Sequence, residues 1–438
     1  GKAADKPEGE AAEDGAEKGA EDEGGAGKKA VDPRKQALAE KARQLRIERQ
    51  TEITSTLPTE GALFSSLRIP KGLVGDRGLR YGRFVVLPSI FFGTAYTDNA
   101  EAADQDREED LSLAAAATVR VQPLLARHQF GVNATATASH SFQEDNDDFV
   151  DWQVGADGRL DLTRRSGVFG RVDYGLNTED DSSADAEGQA NDLESINGNV
   201  GYDFRGNRFD YLIDFAAVRS DFSGGGSADR DNTTYQVNQR LSHRTTPRLT
   251  LFVTPQYTYS LFDEDVADDG EGRDAQTITG LVGADVALRA PITLSAAAGY
   301  TRLLFDDSGR DDSDSVVANG TLGWQISPLS SLELSASHSL ELTTVDGAAA
   351  RTSTALALGL TRQVGLDTSL RGEVGSTYSD FRGIDRNDVD LRAGVGVAHR
   401  LSDHFFLSLA YQYERRLSDQ DDTDFYSNEG LVGFSVIY

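Results

Sequence analysis

The sequence predicts an all-β protein, a closed antiparallel transmembrane β-barrel of about 18 strands that follows a disordered and helical N-terminal leader. The first observation is a period of two: from Arg83 to Tyr438, apolar and polar residues alternate as they do in strands. The second is the length of each alternating segment, roughly a dozen residues, which suits a tilted strand that crosses a bilayer. The third is that long and short connections alternate along the chain.

Composition is compatible with a barrel. The 438 residues are 38% hydrophobic. No apolar run reaches the length of about 18 residues that a transmembrane helix needs, so no such helix is expected. This composition is typical of soluble or partly disordered proteins. Barrel strands are the exception, because lipid-facing and lumen-facing residues alternate and the mean hydropathy stays low.

Residue types exclude several functions. Cysteine is absent, which excludes disulfides, thiolate metal sites and a cysteine nucleophile. The net charge of −29 argues against a nucleic-acid partner, which would need a basic surface. Methionine is also absent, including at position 1, so we expect the numbering to start at a processed end from which a signal peptide has been removed.

The leader has two predicted parts. Residues 1–32 consist almost wholly of Gly, Ala, Glu, Asp and Lys, and such an acidic low-complexity tail is expected to be disordered. Residues 33–80 are expected to form a short helix that begins at Pro33, followed by an irregular lead-in to the barrel in the periplasm. Leu38, Ala42 and Leu45 give this helix only a narrow apolar stripe, which favours a solvated helix over one that binds a partner.

The barrel is predicted to occupy residues 81–438. The predicted strands are 83–97, 111–122, 129–142, 149–163, 168–178, 195–205, 208–222, 233–244, 248–262, 276–289, 293–305, 315–326, 331–343, 352–362, 368–381, 388–400, 404–418 and 427–438. The final strand is expected to pair with strand 83–97 and close the barrel, which places Tyr438 at the periplasmic rim. Residues 433–438 also resemble the C-terminal signal that outer-membrane assembly machinery recognises.

One face of these strands is apolar and the other is polar. In the segment 209–215, for example, the aromatic and aliphatic residues alternate with Asp210 and Asp214. A soluble β-sandwich would need its inner faces to be apolar, and two charged sheets cannot share a dry core. The pattern therefore predicts a barrel with lipid outside and water within.

The connections predict how the barrel is oriented. The long ones, such as 98–110, 179–194 and 263–275, are strongly acidic, whereas the short turns lean basic. Short periplasmic turns and longer outside loops are typical of outer-membrane barrels. An even number of strands then leaves both termini on the periplasmic side.

Charged residues on the polar face are the candidate pore lining. They are Arg120, Asp151, Asp157, Arg159, Arg171, Asp173, Asp203, Arg205, Asp214, Arg240, Asp285, Arg289, Arg371, Glu373, Arg392 and Glu414. One hypothesis is that they form an electrostatic path for a solute, as charged rings do in pores. The alternative is that they pair across neighbouring strands and only stabilise a wet wall. The sequence leaves both open.

The acidic connections contain clustered carboxylates of the kind that bind calcium, but none of them matches the EF-hand motif. Segment 263–270 comes nearest to an EF-hand loop, yet Ala267 stands at a required ligand position. Solvated loops, or loose divalent cations that bridge to lipopolysaccharide phosphates, are the expectation. The six histidines belong to no nucleophile or metal motif, so the protein is predicted not to be an enzyme and to need no cofactor.

The first strand resembles that of a known family. Residues 84–99 carry Pro88-Ser89 and end in Tyr96-x-Asp98-Asn99, which resembles the opening of the putative β-barrel porin 2 family, and the likeness extends over 83–438 as a series of hairpins. The resemblance implies an outer-membrane barrel surrounded by membrane lipids and lipopolysaccharide, often linked to exopolysaccharide export and its components. We therefore expect a porin-like channel for a polar solute or glycan. The alternative is an attachment protein whose acidic loops bind surface polysaccharide, S-layer or lipopolysaccharide through divalent cations.

Overall fold

A computed structural model describes residues 78–125, 127–143, 148–179, 182–183, 191–224, 230–263, 272–288, 291–345, 347–420 and 423–438. The predicted tail 1–32 and helix from Pro33 lie outside these residues. The strands are β1 (Leu79–Tyr81), β2 (Phe84–Thr97), β3 (Asp110–Pro123), β4 (Gln129–Ser141), β5 (Phe149–Asp161), β6 (Ser166–Thr178), β7 (Asp192–Arg205), β8 (Phe209–Ser223), β9 (Asn232–Thr246), β10 (Leu249–Phe262), β11 (Ala275–Ala287), β12 (Ile292–Phe305), β13 (Ser313–Ser327), β14 (Ser330–Leu342), β15 (Ala350–Val364), β16 (Thr368–Arg382), β17 (Arg386–Arg400), β18 (Phe405–Ser418) and β19 (Phe425–Ile437). In the part of the chain that the structure describes, no helix is long and apolar enough to cross a bilayer.

Strands β2 to β19 form the closed barrel. Each pairs antiparallel with the next, and β19 returns to β2 with Glu429 opposite Thr97 and Ile437 opposite Ser89. Closure matters because it leaves no sheet edge unpaired. The prediction of a closed antiparallel barrel of about 18 strands is confirmed, and the predicted strand ends differ from the observed ones by about three residues at most.

A short hairpin precedes the barrel. Strand β1 pairs with the start of β2, with Leu79 opposite Val86 and Tyr81 opposite Phe84. The turn between them uses Gly82, whose φ of 60° suits glycine. The predicted irregular lead-in up to residue 80 is therefore wrong for Leu79 and Arg80. Three residues are too few to show a period of two.

The two faces of the barrel differ in chemistry. The large apolar side chains of the strands are exposed on the convex face, with Val150 63% and Val282 64% exposed. The polar side chains occupy the other face, where partners from strands two apart meet, as Arg120 of β3 and Asp157 of β5 do. Such convergence happens on the concave side of a closed sheet. The polar face is therefore the inner wall.

The end of the barrel with the long connections, here called the loop end, has a small apolar core of its own. Val345 and Ala348 of the β14–β15 connection pack on Phe381, and Ile384 completes the cluster. Phe381 lies on the concave face of β16 and is only 2% exposed. The β14–β15 connection therefore covers part of the inner wall at this end.

Candidate pore lining

Most of the predicted lining residues form ion pairs along the inner wall. Arg120 pairs with Asp157 at 2.8 Å, which links β3 to β5. Arg240 pairs with Asp285 at 2.7 Å, which links β9 to β11. Each pair spans the strand between its partners, so the contact stabilises three strands at once.

A denser group lies on β5 to β7. Arg159 is 11% exposed and contacts both Asp161, at 2.9 Å, and Asp203. Arg205 approaches the same Asp203 carboxylate at 3.4 Å. On β6, the Nη2 atom of Arg171 donates to Asp173 at 2.7 Å. The guanidinium groups of Arg159 and Arg205 therefore share the buried carboxylate of Asp203. This part of the wall is a network rather than a set of separate pairs.

The wall on the far side repeats the arrangement with glutamates. Arg371 and Glu373 pair at 3.1 Å within β16. Arg392 of β17 and Glu414 of β18 pair at 2.7 Å. These side chains are more exposed to the lumen than Arg159 and Asp203, so their attraction is weaker.

Two predicted lining acids have no arginine within ion-pair distance among the described residues. Asp151 accepts hydrogen bonds from the backbone N–H of Thr178 at 2.8 Å and from its hydroxyl at 3.0 Å. Asp214 is 9% exposed and lies directly opposite Asn238 of β9. The remaining candidate, Arg289, lies outside the described residues. The wall thus contains ion pairs, but most of those described join strands two apart or lie within one strand rather than joining neighbouring strands. Both hypotheses for the lining stay predictions.

Glycines hold these pairs flat against the wall. A Cβ atom added to Gly131 of β4 would fall on the guanidinium of Arg120 and lie 3.1 Å from Asp157. One added to Gly167 of β6 would meet the guanidinium of Arg159 at 2.6 Å. The long side chains lie over positions that lack a side chain, so they do not extend into the lumen. Sequence reasoning could have found this signal, because small inward positions alternate with charged residues on neighbouring strands.

Comparison with known proteins identifies the family. Residues 74–438 match the family described as "Putative beta-barrel porin 2". The chain belongs to this porin family. The match covers the whole described barrel, so the protein is an outer-membrane β-barrel of the porin type, and the resemblance of the first strand is confirmed. Curated protein sequences give no match.

Several solved barrels are similar to this chain at low identity. The copper transporter OprC is 9% identical with a TM-score of 0.48, over 83% of this chain and 82% of its own. OccK3 (OpdO) from Pseudomonas aeruginosa is 11% identical with a TM-score of 0.44, over 80% of this chain and 96% of its own. The FrpB iron transporter from Neisseria meningitidis is 8% identical with a TM-score of 0.46, over 82% of this chain and 83% of its own. None of these similarities identifies a solute.

The loop end of this porin contains charged pairs that sequence reasoning missed. Arg230, from the β8–β9 connection, makes a bidentate pair with Glu179, from the β6–β7 connection, at 2.6 and 2.9 Å. Arg386 and Asp388 of β17 pair at 2.7 Å, and both are buried. The net charge of a long connection is dominated by its many acids and therefore does not reveal a single arginine among them.

Two further arginines at the loop end hold the β14–β15 connection. Arg273 donates to the carbonyl oxygen of Thr344 at 3.5 Å. Arg310 donates to the carbonyl oxygen of Ala348 at 3.1 Å. These donors come from the β10–β11 and β12–β13 connections. Hydrogen bonds therefore join three separate connections at the mouth of the porin.

One acidic cluster at the loop end has the outline of a cation site. Carboxylate oxygens of Asp221, Asp231 and Asp263 lie within 4.8 Å of one another. The guanidinium of Arg219 already contacts two of these groups: it pairs with Asp221, and it donates to both oxygens of Asp263 at 2.6 Å. Its hydrogen bonds hold the pKa of Asp263 below its usual value. An arginine therefore supplies the positive charge here. Loose divalent cations at the other acidic connections stay a prediction, and residues 264–271 lie outside the described part.

Proposed function

We propose that the protein is a passive, water-filled channel for polar solutes, including glycans, across the outer membrane. The observation that supports this most is the inner wall, where charged side chains are paired and lie over glycines. Barrels of eight strands are filled by their own side chains, whereas barrels of about 16 to 18 strands leave an aqueous channel. A wide barrel with a flat, polar and hydrated lining conducts without a dedicated energy source.

A role in exopolysaccharide export is the finer part of the proposal. It is supported by the family resemblance of the first strand, because members of that family are often linked to exopolysaccharide export. The barrel would supply width and a hydrated wall, and other components of the system would supply the energy and the polymer. Because β2 starts and β19 ends at the rim with short turns, we place that rim in the periplasm, facing those components. The prediction that the protein is not an enzyme agrees with this role and stays a prediction.

The direct test is conductance in planar lipid bilayers. We expect the purified full-length chain to give discrete ohmic current steps. A variant that lacks residues 1–77 should give steps at least as large, because it retains every described strand. If correctly folded barrels of both chains give no current, the channel function is wrong.

The acidic connections should make this channel cation-selective. In a potassium chloride gradient at about 0.1 M, where the screening length is about 10 Å, potassium should permeate roughly several-fold better than chloride. The preference should shrink at about 1 M, where screening acts within about 3 Å. The reversal potential measures both.

A matched pair of variants locates the selectivity. Glu101→Gln, Asp104→Asn and Asp106→Asn together neutralise exposed groups of the 98–110 connection and should weaken the cation preference. Neutralising Arg164 and Arg165, at the opposite rim, should not weaken it. Chloride preference in the unmodified channel would refute this prediction.

A further inference from the structure

An uncharged polar track runs across the inner wall between the charged groups. It is defined here as the amide track and consists of Asn199 of β7, Gln236 and Asn238 of β9, Gln256 and Thr258 of β10, and Thr277 and Thr279 of β11. All seven side chains are half-buried on the concave face, so each keeps part of its surface toward the lumen. The track contains four primary amides and three hydroxyls and no ionisable side chain.

The strand register shows that the track is continuous. Asp214 lies opposite Asn238, Asn238 opposite Gln256, and Gln256 opposite Thr279. The same row continues to Thr301 of β12. Cross-strand neighbours on one face are about 4.5–5.5 Å apart, a spacing that a single sugar ring can bridge.

The row also climbs the barrel. Asp214 lies near the turn end of β8, which starts at Phe209, whereas Thr301 lies near the loop end of β12, which finishes at Phe305. A row perpendicular to strands that tilt by roughly 35–45° must rise along the barrel axis. The amide track therefore leads from the lower part of the wall toward the mouth.

Hydrogen bonds within the track orient the amides without exhausting them. Asn238 Nδ2 donates to Gln236 Oε1 at 3.0 Å, and Gln236 Nε2 donates to the hydroxyl of Thr258 at 3.4 Å. At the upper end of the track, the hydroxyl of Thr279 also bonds that of Thr301, its neighbour on β12, at 2.7 Å. A primary amide has two donor hydrogens and two acceptor lone pairs, so each retains capacity for a ligand.

The lower end of the track adds an acid and an aromatic ring. Asp214 is nine-tenths buried and lies directly opposite Asn238, so its carboxylate adjoins the track. The ring of Phe169 reaches over Gly201, beside the Cβ of Asp214. A carboxylate accepts hydrogen bonds from hydroxyl pairs, and an aromatic ring packs against the C–H face of a sugar.

We propose that the amide track is a binding path for a neutral glycan chain, which moves along it by exchanging hydroxyl hydrogen bonds from one strand to the next. This inference rests on the proposed channel function and names where the glycan binds. Amides and hydroxyls match the mixed donors and acceptors of sugar hydroxyls, whereas they offer no net charge to hold an ion. Asp214 and the acidic connections disfavour a polyanionic chain.

Block of single-channel current by oligosaccharides tests the track. Maltohexaose should reduce the current of the full-length channel reversibly, and glucose should do so far less because it spans only one or two positions. The variant Asn238→Leu/Gln256→Leu keeps the side-chain size and removes two ligand groups, so the half-blocking concentration should rise about tenfold or more. The control Asn319→Leu/Gln363→Leu makes the same changes on the concave faces of β13 and β15, off the track, and should leave block unchanged.

The outcomes separate the binding path from the channel itself. Equal block in the track variant and the control, tighter block by hexagalacturonate than by maltohexaose, or no block by either maltohexaose or cellohexaose in a conducting channel would each overturn the binding path alone. Absence of current in the unmodified protein would overturn the channel function as well. If the leucine variant does not fold, Asn238→Ser/Gln256→Ser replaces it, with the same rise in half-blocking concentration expected.

Discussion

Replacing Gly299 with valine is expected to prevent assembly of the barrel. Gly299 lies on β12 opposite Leu281 of β11. A Cβ atom added there would collide with the backbone carbonyl oxygen of Gly280 and lie 2.9 Å from the Cα of Leu281. The backbone of β11 can move away from this Cβ atom only if hydrogen bonds between β11 and β12 are lost. Overpacking against side chains costs about 1–3 kcal/mol, and a clash with a fixed backbone should exceed that range.

The measurement is folding into lipid vesicles, followed by the shift between unheated and heated samples on a denaturing gel. Gly359 of β15 is the matched control, since it also lies on the concave face and none of the described atoms comes within 4 Å of an added Cβ. Gly359→Val should fold and unfold in urea within about 1 kcal/mol of the unmodified protein. If both variants fold equally well, the close approach at Gly299 does not constrain the barrel.

The strands of this protein could be predicted from sequence because each one is constrained separately. Every strand must present apolar residues to lipid and polar residues to water, so the alternation in 209–215 or 405–413 is visible without knowledge of the neighbours. Closure by the final strand follows from an even antiparallel order. The β1 hairpin escaped prediction because it is too short to carry a pattern.

The pairing of the lining could not be predicted because it depends on distances across the sheet. Arg159 pairs with Asp203 two strands away, and only the relative register of β5, β6 and β7 makes that contact possible. Sequence reasoning placed both residues on the wet face but could not choose their partners. The amide track was missed for a related reason: no single strand contributes more than two of its residues, and they align only when the strands are in register.

Removal of the Asp388 carboxylate is expected to give the largest loss of stability among single charge changes at the mouth. Asp388 is 1% exposed and pairs with Arg386 at 2.7 Å. It also accepts a hydrogen bond from the Ser418 hydroxyl at 2.6 Å. In Asp388→Ala, the guanidinium would remain buried over the ring of Phe381, 4.6 Å from its centre, with its ionic partner lost. Breaking a buried pair in this way costs about 3–5 kcal/mol.

Equilibrium unfolding in urea, in lipid vesicles, measures the loss. The exposed pair of Arg302 and Asp312, whose side chains are 59% and 43% exposed, is the matched control. Asp312→Ala should cost no more than about 1 kcal/mol, because water already solvates both partners. Equal losses in the two variants would contradict the claim that burial makes the Arg386–Asp388 pair sensitive.

A double replacement separates charge from shape at the same position. Arg386→Met/Asp388→Leu removes both charges and keeps most of the volume packed on Phe381, so it should recover most of the stability that Asp388→Ala loses. Recovery would show that the single variant fails because a charge is left unpaired, and that the attraction between the partners does little more than offset their desolvation. If the double variant is as unstable as Asp388→Ala, the hydrogen bond from Ser418 and the shape of the pair hold the mouth instead.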